Sequence, residues 1–266
     1  MRRWLPILGV ALLLVGAPWA TLARPQSPLS VEKTRQCPKF PGANQFVRTI
    51  DNRFLPLEPG TTFIYREKAD GETQRDVVAV TNKTKTILGV KTVVVRDTAK
   101  DMHGRLVEDT LDWYAQDKAG NVWYFGEDTK EYKNGHVAST EGSWQAGVKG
   151  AKPGIVMEAH PRPGDTYQQE CASGVAEDRA TVLQLGQSVT VPFGTFHDVL
   201  VTKDYTPLDK PVEHKQYAPC IGFVRSQMVK GGKEVAVLVD VQESSGTTSS
   251  SCDRSSASSQ TSRQGT

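Results

Sequence analysis

The chain has 266 residues, with 32 lysines and arginines against 30 aspartates and glutamates, a formal net charge of +2. Arg2 and Arg3 lie in an N-terminal apolar segment that holds no acid, so the rest of the chain is balanced in charge. That balance offers no basic face to nucleic acid and no charged tail as a means of association.

Residues 1–23 read as a secretory signal peptide: two arginines, the apolar run "WLPILGVALLLVGAPWA", and the small residues Thr21 and Ala23 before Arg24. The run is about long enough to span a bilayer if it were retained as an anchor, but its two prolines and small-residue end favour cleavage. No later run approaches a membrane span, so no transmembrane segment is expected after cleavage. The expected location is secreted, periplasmic or cell envelope. The cysteines Cys37, Cys171, Cys220 and Cys252 fit an oxidising compartment. They allow three pairings. Cys171 and Cys220 lie inside the predicted core and Cys37 and Cys252 in the terminal segments, which favours Cys171–Cys220, with Cys37–Cys252 tying the ends.

Residues 24–45, rich in proline and without periodicity, are predicted to form an extended leader. The core spans 46–242, as a first β repeat at 46–150 and a second at 151–242, one joint domain. Its first half is a series of β-branched and aromatic runs: "TTFIYREK", "RDVVAVT", "GVKTVVVRDTA", "RLVEDTLDWYA", "NVWYFGED" and "HVASTEG". The turn residues "EPG", "DGE", "MHG", "DKAG" and "KNG" separate them. No capped 3.6-residue stripe persists for three turns, so little helix is expected. The Gly/Pro-rich stretch "GVKGAKPGIVMEAHPRPGD" divides the core as a loop. Beyond it the motifs return in order, "PGDTYQQ" after "PGTTFIY" and "KQYAPCIGFV" after "DWYAQDKAGNVWY". The predicted fold is all-β: two tandem antiparallel meander repeats forming a curved sheet pair or a barrel-like structure. Residues 243–266, almost all Ser, Thr and polar, are predicted to be a disordered tail.

The hairpin "DWYAQDKAGNVWYFGED" is the densest aromatic and acidic stretch. A four-residue connection Asp117–Gly120 sets Gln116 opposite Asn121, Tyr114 opposite Trp123 and Asp112 opposite Phe125. One face then carries Tyr114, Trp123 and Phe125 with Asp112, Glu108 and Glu127. That mixture suits a wall where rings bury a ligand and a few polar groups orient it; cross-strand aromatic packing with acids at a solvated rim gives the same pattern. The other face, with Val107, Leu111, Trp113, Val122 and Tyr124, is assigned to the main core. His160, in the dividing loop, and His214, on the strand before "YAP", are the histidines placed where a ligand could meet them.

Motifs for chemistry are sparse. The histidines lack HxH or HExxH spacing and no CxxC occurs, so no metal site is expected. Ser143 lacks the G-x-S-x-G elbow, and nothing calls for a cofactor. If the chain is an enzyme, Asp112 and Glu127 are the catalytic acid and base.

At "DWYAQDKAGNVWYFGEDTKEY", "GSWQAGVKGAKPGI" and "VEHKQYAPCIGFV" the chain resembles a group of secreted bacterial proteins with no assigned activity. The resemblance implies bacterial export and transfers no catalytic residue. In strand-and-turn order it is also similar to curved lipid-holding sheets of the cell envelope, a likeness of architecture alone. The expected function is non-enzymatic: an exported binding protein for an apolar or amphipathic small ligand, or a surface polymer. The alternatives are a secreted hydrolase using the carboxylate pair and a cell-surface interaction module.

Overall fold

The extended runs of the sequence pair into one sheet. The computed structural model describes residues 36–69 and 71–244; the signal segment, the leader before Gln36, the tail after Ser244 and Cys252 lie outside the described residues. Fifteen strands form: β1 (Thr61–Ala69), β2 (Glu72–Ile87), β3 (Val90–Asp101), β4 (Leu106–Gln116), β5 (Val122–Lys133), β6 (His136–Ser139), β7 (Trp144–Gln145) and β8 (Lys152–Met157). Then come β9 (Thr166–Gln168), β10 (Glu170–Cys171), β11 (Arg179–Val191), β12 (Gly194–Tyr205), β13 (Val212–Ala218), β14 (Gly222–Lys230) and β15 (Val235–Glu243). Apart from a single 3-10 turn at Ala43–Gln45, the described residues hold no helix, and no helix among them is long and apolar enough to cross a membrane.

The neighbour order is β10-β8-β5-β4-β3-β2-β1-β15-β14-β13-β12-β11-β9, with β6 and β7 added to β5. The strands β1–β5 make one antiparallel meander and β11–β14 a second; β15 joins them by pairing with both β1 and β14. The fold is the expected all-β pair of tandem meanders, curled into a nearly closed barrel with one seam. The two outermost strands, β9 and β10, are consecutive in the chain with only Gln169 between them. The backbone itself therefore spans the seam. Gly154 of β8 packs there so closely that a Cβ would stand 2.1 Å from the Gln169 carbonyl oxygen.

Three sequence expectations are corrected. The dividing loop contains β8: "KPGIVM" is extended and pairs with β5 and β10, because a short apolar run beside an open strand edge satisfies its backbone there. Cys37 is bonded to Cys171, with Cα atoms 6.0 Å apart, in place of both expected pairings, Cys171–Cys220 and Cys37–Cys252. Cys220 is disulfide-bonded as well. The end of the leader, from Gln36, and the first core residues, finally, are packed structure. Phe46 bridges to Asp117, Val47 N–H donates to the Gln116 carbonyl (2.9 Å) and Lys118 N–H to the Gln45 carbonyl (2.7 Å). Phe40 and Phe46 close over Trp123 and Phe125, with ring centroids 5.6–6.4 Å apart. Covering these rings removes aromatic surface from water and holds the segment on the barrel.

Non-reducing peptide mapping should recover Cys37 linked to Cys171. Replacing both by Ser should lower the unfolding free energy by about 2–5 kcal/mol in denaturant titration, since the bond closes a long loop and holds the leader on the barrel.

Candidate functional site

The turn of the central hairpin decides which side chains face inward. Asp117 N–H donates to the Asn121 carbonyl (2.9 Å) and Gly120 N–H to the Asp117 carbonyl (3.0 Å). Asp117 thus pairs with Asn121 around a three-residue loop, with Gly120 at φ +94°. The register is Gln116 with Val122, Ala115 with Trp123 and Tyr114 with Tyr124, one residue from the sequence expectation. One residue exchanges the faces. A β-bulge then inserts an extra residue in β5, so that Asp112 pairs with Glu127 while Tyr114 pairs with Tyr124. Gly126, at φ +119°, makes the bulge; a Cβ there would lie 2.2 Å from the Trp144 carbonyl oxygen.

The predicted wall is therefore split. Tyr114, Asp112 and Glu127 share the barrel interior, joined by Tyr124, which had been assigned to the other face. Trp123 and Phe125 point outward beneath Phe40 and Phe46, and the Trp123 Nε1–H donates to Asp117 Oδ2 (2.8 Å). His160 stands on a surface groove with Arg53, Arg162 and Asp198. His214, whose β13 neighbour Lys215 is buried, pairs in register with Lys203 and Gln227 and is half-buried. Neither histidine joins the interior group.

The interior has two halves. Around Leu55, Leu57, Phe63, Tyr65, Val78, Val95 and Phe223 lies an apolar pocket of about 30 Å³, room for one water. Tyr114 and Asp112 line it too, and Asp112 marks the border. Beyond it the lining becomes acidic: Glu67, Asp76, Asp97, Glu108, Asp112, Glu127 and Glu170 are all buried. Burial pushes every one of these carboxyls up. Asp76 reaches about 6, Asp112 about 7 against the hydrogen bond from Tyr124, and Glu108 about 8 against the bond from Thr110. Asp97 is raised by burial and by the neighbouring charge of Asp76.

Lys215 is the one buried lysine or arginine among the described residues. Its Nζ lies 3.0 Å from Glu213 Oε1 and 3.5 Å from Asp204 Oδ2. Burial opposes its charge, but those two carboxylates hold the ammonium protonated, well above the usual lysine range. The ladders show where the first meander differs. Val93, Val95 and Asp97 of β3 pair with Tyr114, Asp112 and Thr110 of β4. Leu200, Thr202 and Asp204 of β12 pair with Tyr217, Lys215 and Glu213 of β13. Asp112 thus holds the ladder position that Lys215 holds in the second meander.

Around Glu127 the chemistry is concentrated. The residue is 2% exposed, and neither carboxylate oxygen has a hydrogen-bond partner. Burial first, then the charges of Glu170, Asp112, Glu108 and Asp178, raise it well above the carboxylate range. Tyr114 stacks on Tyr124 (centroids 4.9 Å, 22°), and Trp144 meets Tyr124 edge-on at 5.5 Å. Tyr124 O–H donates to Asp112 Oδ1 (2.6 Å) and Trp144 Nε1–H to Glu170 Oε1 (3.3 Å), whereas the Tyr114 hydroxyl and Glu170 Oε2 have no partner. Among the described residues no three His, Cys, Asp or Glu side chains are placed to hold a metal ion. Sequence reasoning missed Tyr124, Trp144, Glu170 and Lys215. The signal available was the glycine in "YFGED", which interrupts a strand where a bulge reverses the faces. Comparison of the chain with protein-family models, with curated proteins and with solved structures found no match.

Two predictions follow from the electrostatics. Each raised carboxyl has a folded pKa above its unfolded value of about 4. Its stabilising contribution is therefore complete below that value and is lost as pH rises through about 6–8. The melting temperature should fall by roughly 5–10 °C between pH 5 and pH 8.5, measured by calorimetry in buffers free of amines. Lys215→Met should lower stability by about 3–5 kcal/mol at pH 7, because it leaves Asp204 and Glu213 without their cation.

Proposed function

We propose that the protein is an exported, non-enzymatic binding protein whose barrel interior accepts a small amphipathic ligand. One observation carries this reading: the apolar pocket and the acidic belt meet at a single residue, Asp112, within one interior. A ligand with an apolar body and a polar end would place the body against Phe63, Tyr65, Tyr114 and Phe223 and the end at Asp112. The wall able to yield is the segment Asn52–Leu57, which is not a strand and which lays Leu55, Pro56 and Leu57 over the pocket. Export is supported by the signal-like N-terminus and by the Cys37–Cys171 disulfide, and the sequence resemblance to secreted bacterial proteins agrees with it.

The hydrolase reading has one observation in its favour, that Asp112 and Glu127 are direct cross-strand neighbours. Glu127 nevertheless does not line the apolar pocket that Asp112 borders, so the pair does not face that space together. The interaction-module reading needed an exposed aromatic patch; Trp113, Trp123 and Trp144 are all buried.

The test is amide chemical-shift mapping of the full chain titrated with n-butanol, n-hexanol and benzyl alcohol. Saturable shifts should concentrate at Tyr65, Tyr114 and Phe223, and Val95→Phe, which fills the pocket, should abolish them. Shifts scattered over the outer face, or none with any probe, would remove the binding reading.

A further inference from the structure

The acidic half of the interior is short of positive charge in a specific place. In the second meander the carboxylates of Asp204 and Glu213 are neutralised by an internal ammonium, Lys215. In the first meander the matching ladder position is Asp112, so an anion stands where the cation would be. Beside it, Glu127 is almost fully buried with both oxygens unpartnered. A buried carboxylate in that state is costly unless a proton or a cation joins it. The surroundings favour one kind of cation. Tyr114, Tyr124 and Trp144 stand together beside the carboxylates, and aromatic faces attract ammonium groups. Glu127, Glu170 and the Tyr114 hydroxyl still have oxygens free to accept hydrogen bonds from N–H donors. Among the described residues no three His, Cys, Asp or Glu side chains are placed to coordinate a metal ion.

The geometry points to a site for a small primary ammonium, R–NH3+, held between Glu127, Asp112 and Glu170 and walled by Tyr114, Tyr124 and Trp144. In effect the ligand supplies to the first meander the ammonium that Lys215 supplies to the second. The apolar pocket next to Asp112 would take the start of the carbon chain, and a longer chain as the segment Asn52–Leu57 yields. This rests on the binding reading above and names its ligand class.

The test uses the full chain at pH 8 and constant ionic strength, with methylammonium and n-butylammonium chloride against potassium chloride, n-butanol and sodium butyrate. Thermal shift and isothermal titration are read together. Both ammonium salts should raise the melting temperature saturably, with n-butylammonium the tighter, while potassium and butyrate have no saturable effect. Glu127→Gln, an isosteric change, should weaken ammonium binding at least roughly tenfold, with circular dichroism confirming the fold. Asp112→Asn should do the same, and Glu72→Gln, an exposed acid on β2, should leave it unchanged. If n-butanol binds as well as n-butylammonium, the ammonium site is refuted and the binding protein stands. If potassium stabilises as much as methylammonium, or Glu127→Gln binds normally, the site is likewise refuted. If no probe binds at all, both readings fall.

Discussion

Closing a β-sheet around acidic side chains is the constraint on which the rest of this molecule depends. A carboxylate removed from water loses hydration that only a cation, a set of donors or a proton can replace. In the second meander the solution is internal. Lys215 sits between Asp204 and Glu213, and further donors come from Thr202 to Asp204 and from Gln169 Nε2 to the same carboxylate. In the first meander the solution is partial. Tyr124 and Thr110 donate to Asp112 and Glu108. Glu127 and Asp76 are left with no donor to either oxygen, and Glu127 stands among the aromatic rings. The two halves of one barrel thus carry different charge states at neighbouring depths.

The closure that creates this problem is made by short connections. Gln169 carries the chain across the seam, and the disulfide from Cys37 fastens the leader to β10 at the same edge. At the opposite side of the hairpin, Gln116 and Asn52 act as a hub. Gln116 Oε1 accepts from the N–H groups of Asp51 and Asn52 (3.0 and 2.8 Å). The Asn52 side chain donates to the carbonyls of Gly120 and Glu158 and accepts from the N–H groups of Phe54 and Leu55. These bonds give the non-strand segment over the apolar pocket a fixed shape without committing it to a ladder. Movement of that segment costs a few side-chain hydrogen bonds, each worth about 0.5–1.5 kcal/mol net. Opening the sheet would break whole ladders.

Much of this architecture was legible in the sequence, and the exceptions have local causes. Runs of β-branched and aromatic residues with turn residues between them identify the strands of the first meander, and the returning motifs point to the second. The interior itself was harder to read. In "VEDTLDWYAQ" the alternation is between one mixed set and another, since the inward side carries Glu108, Thr110, Asp112 and Tyr114. A rule that sends charges outward cannot orient such a strand. The hairpin was located correctly, but the aspartate that opens it also pairs across it. The loop is one residue shorter than its turn residues suggest, and Trp123 and Phe125 move to the outside. Gly126 then restores Glu127 to the interior, so Asp112 and Glu127 meet although the register that led to them was wrong. The disulfide partner of Cys171 was not legible at all. It follows from the leader's return to the barrel, and that return depends on Phe40 and Phe46 finding the very rings that the one-residue slip turned outward.

The outward rings and the inward acids are therefore one event seen from two sides. A single turn residue places Trp123 and Phe125 where the leader can cover them, and the same turn brings Tyr114 and Tyr124 face to face inside. The bulge at Gly126 brings Trp144 within ring contact of Tyr124 and leaves Glu127 beside Asp112. Aromatic faces and unpaired carboxylates are gathered into one small volume by backbone geometry, before any ligand is considered. Packing alone does not require them there. An apolar residue in place of Glu127 would fill the space and remove the buried charge, and such replacements are often neutral or stabilising. A buried acid without an internal partner, opposite a second meander that supplies its own cation, is the contrast on which the proposed ammonium site rests.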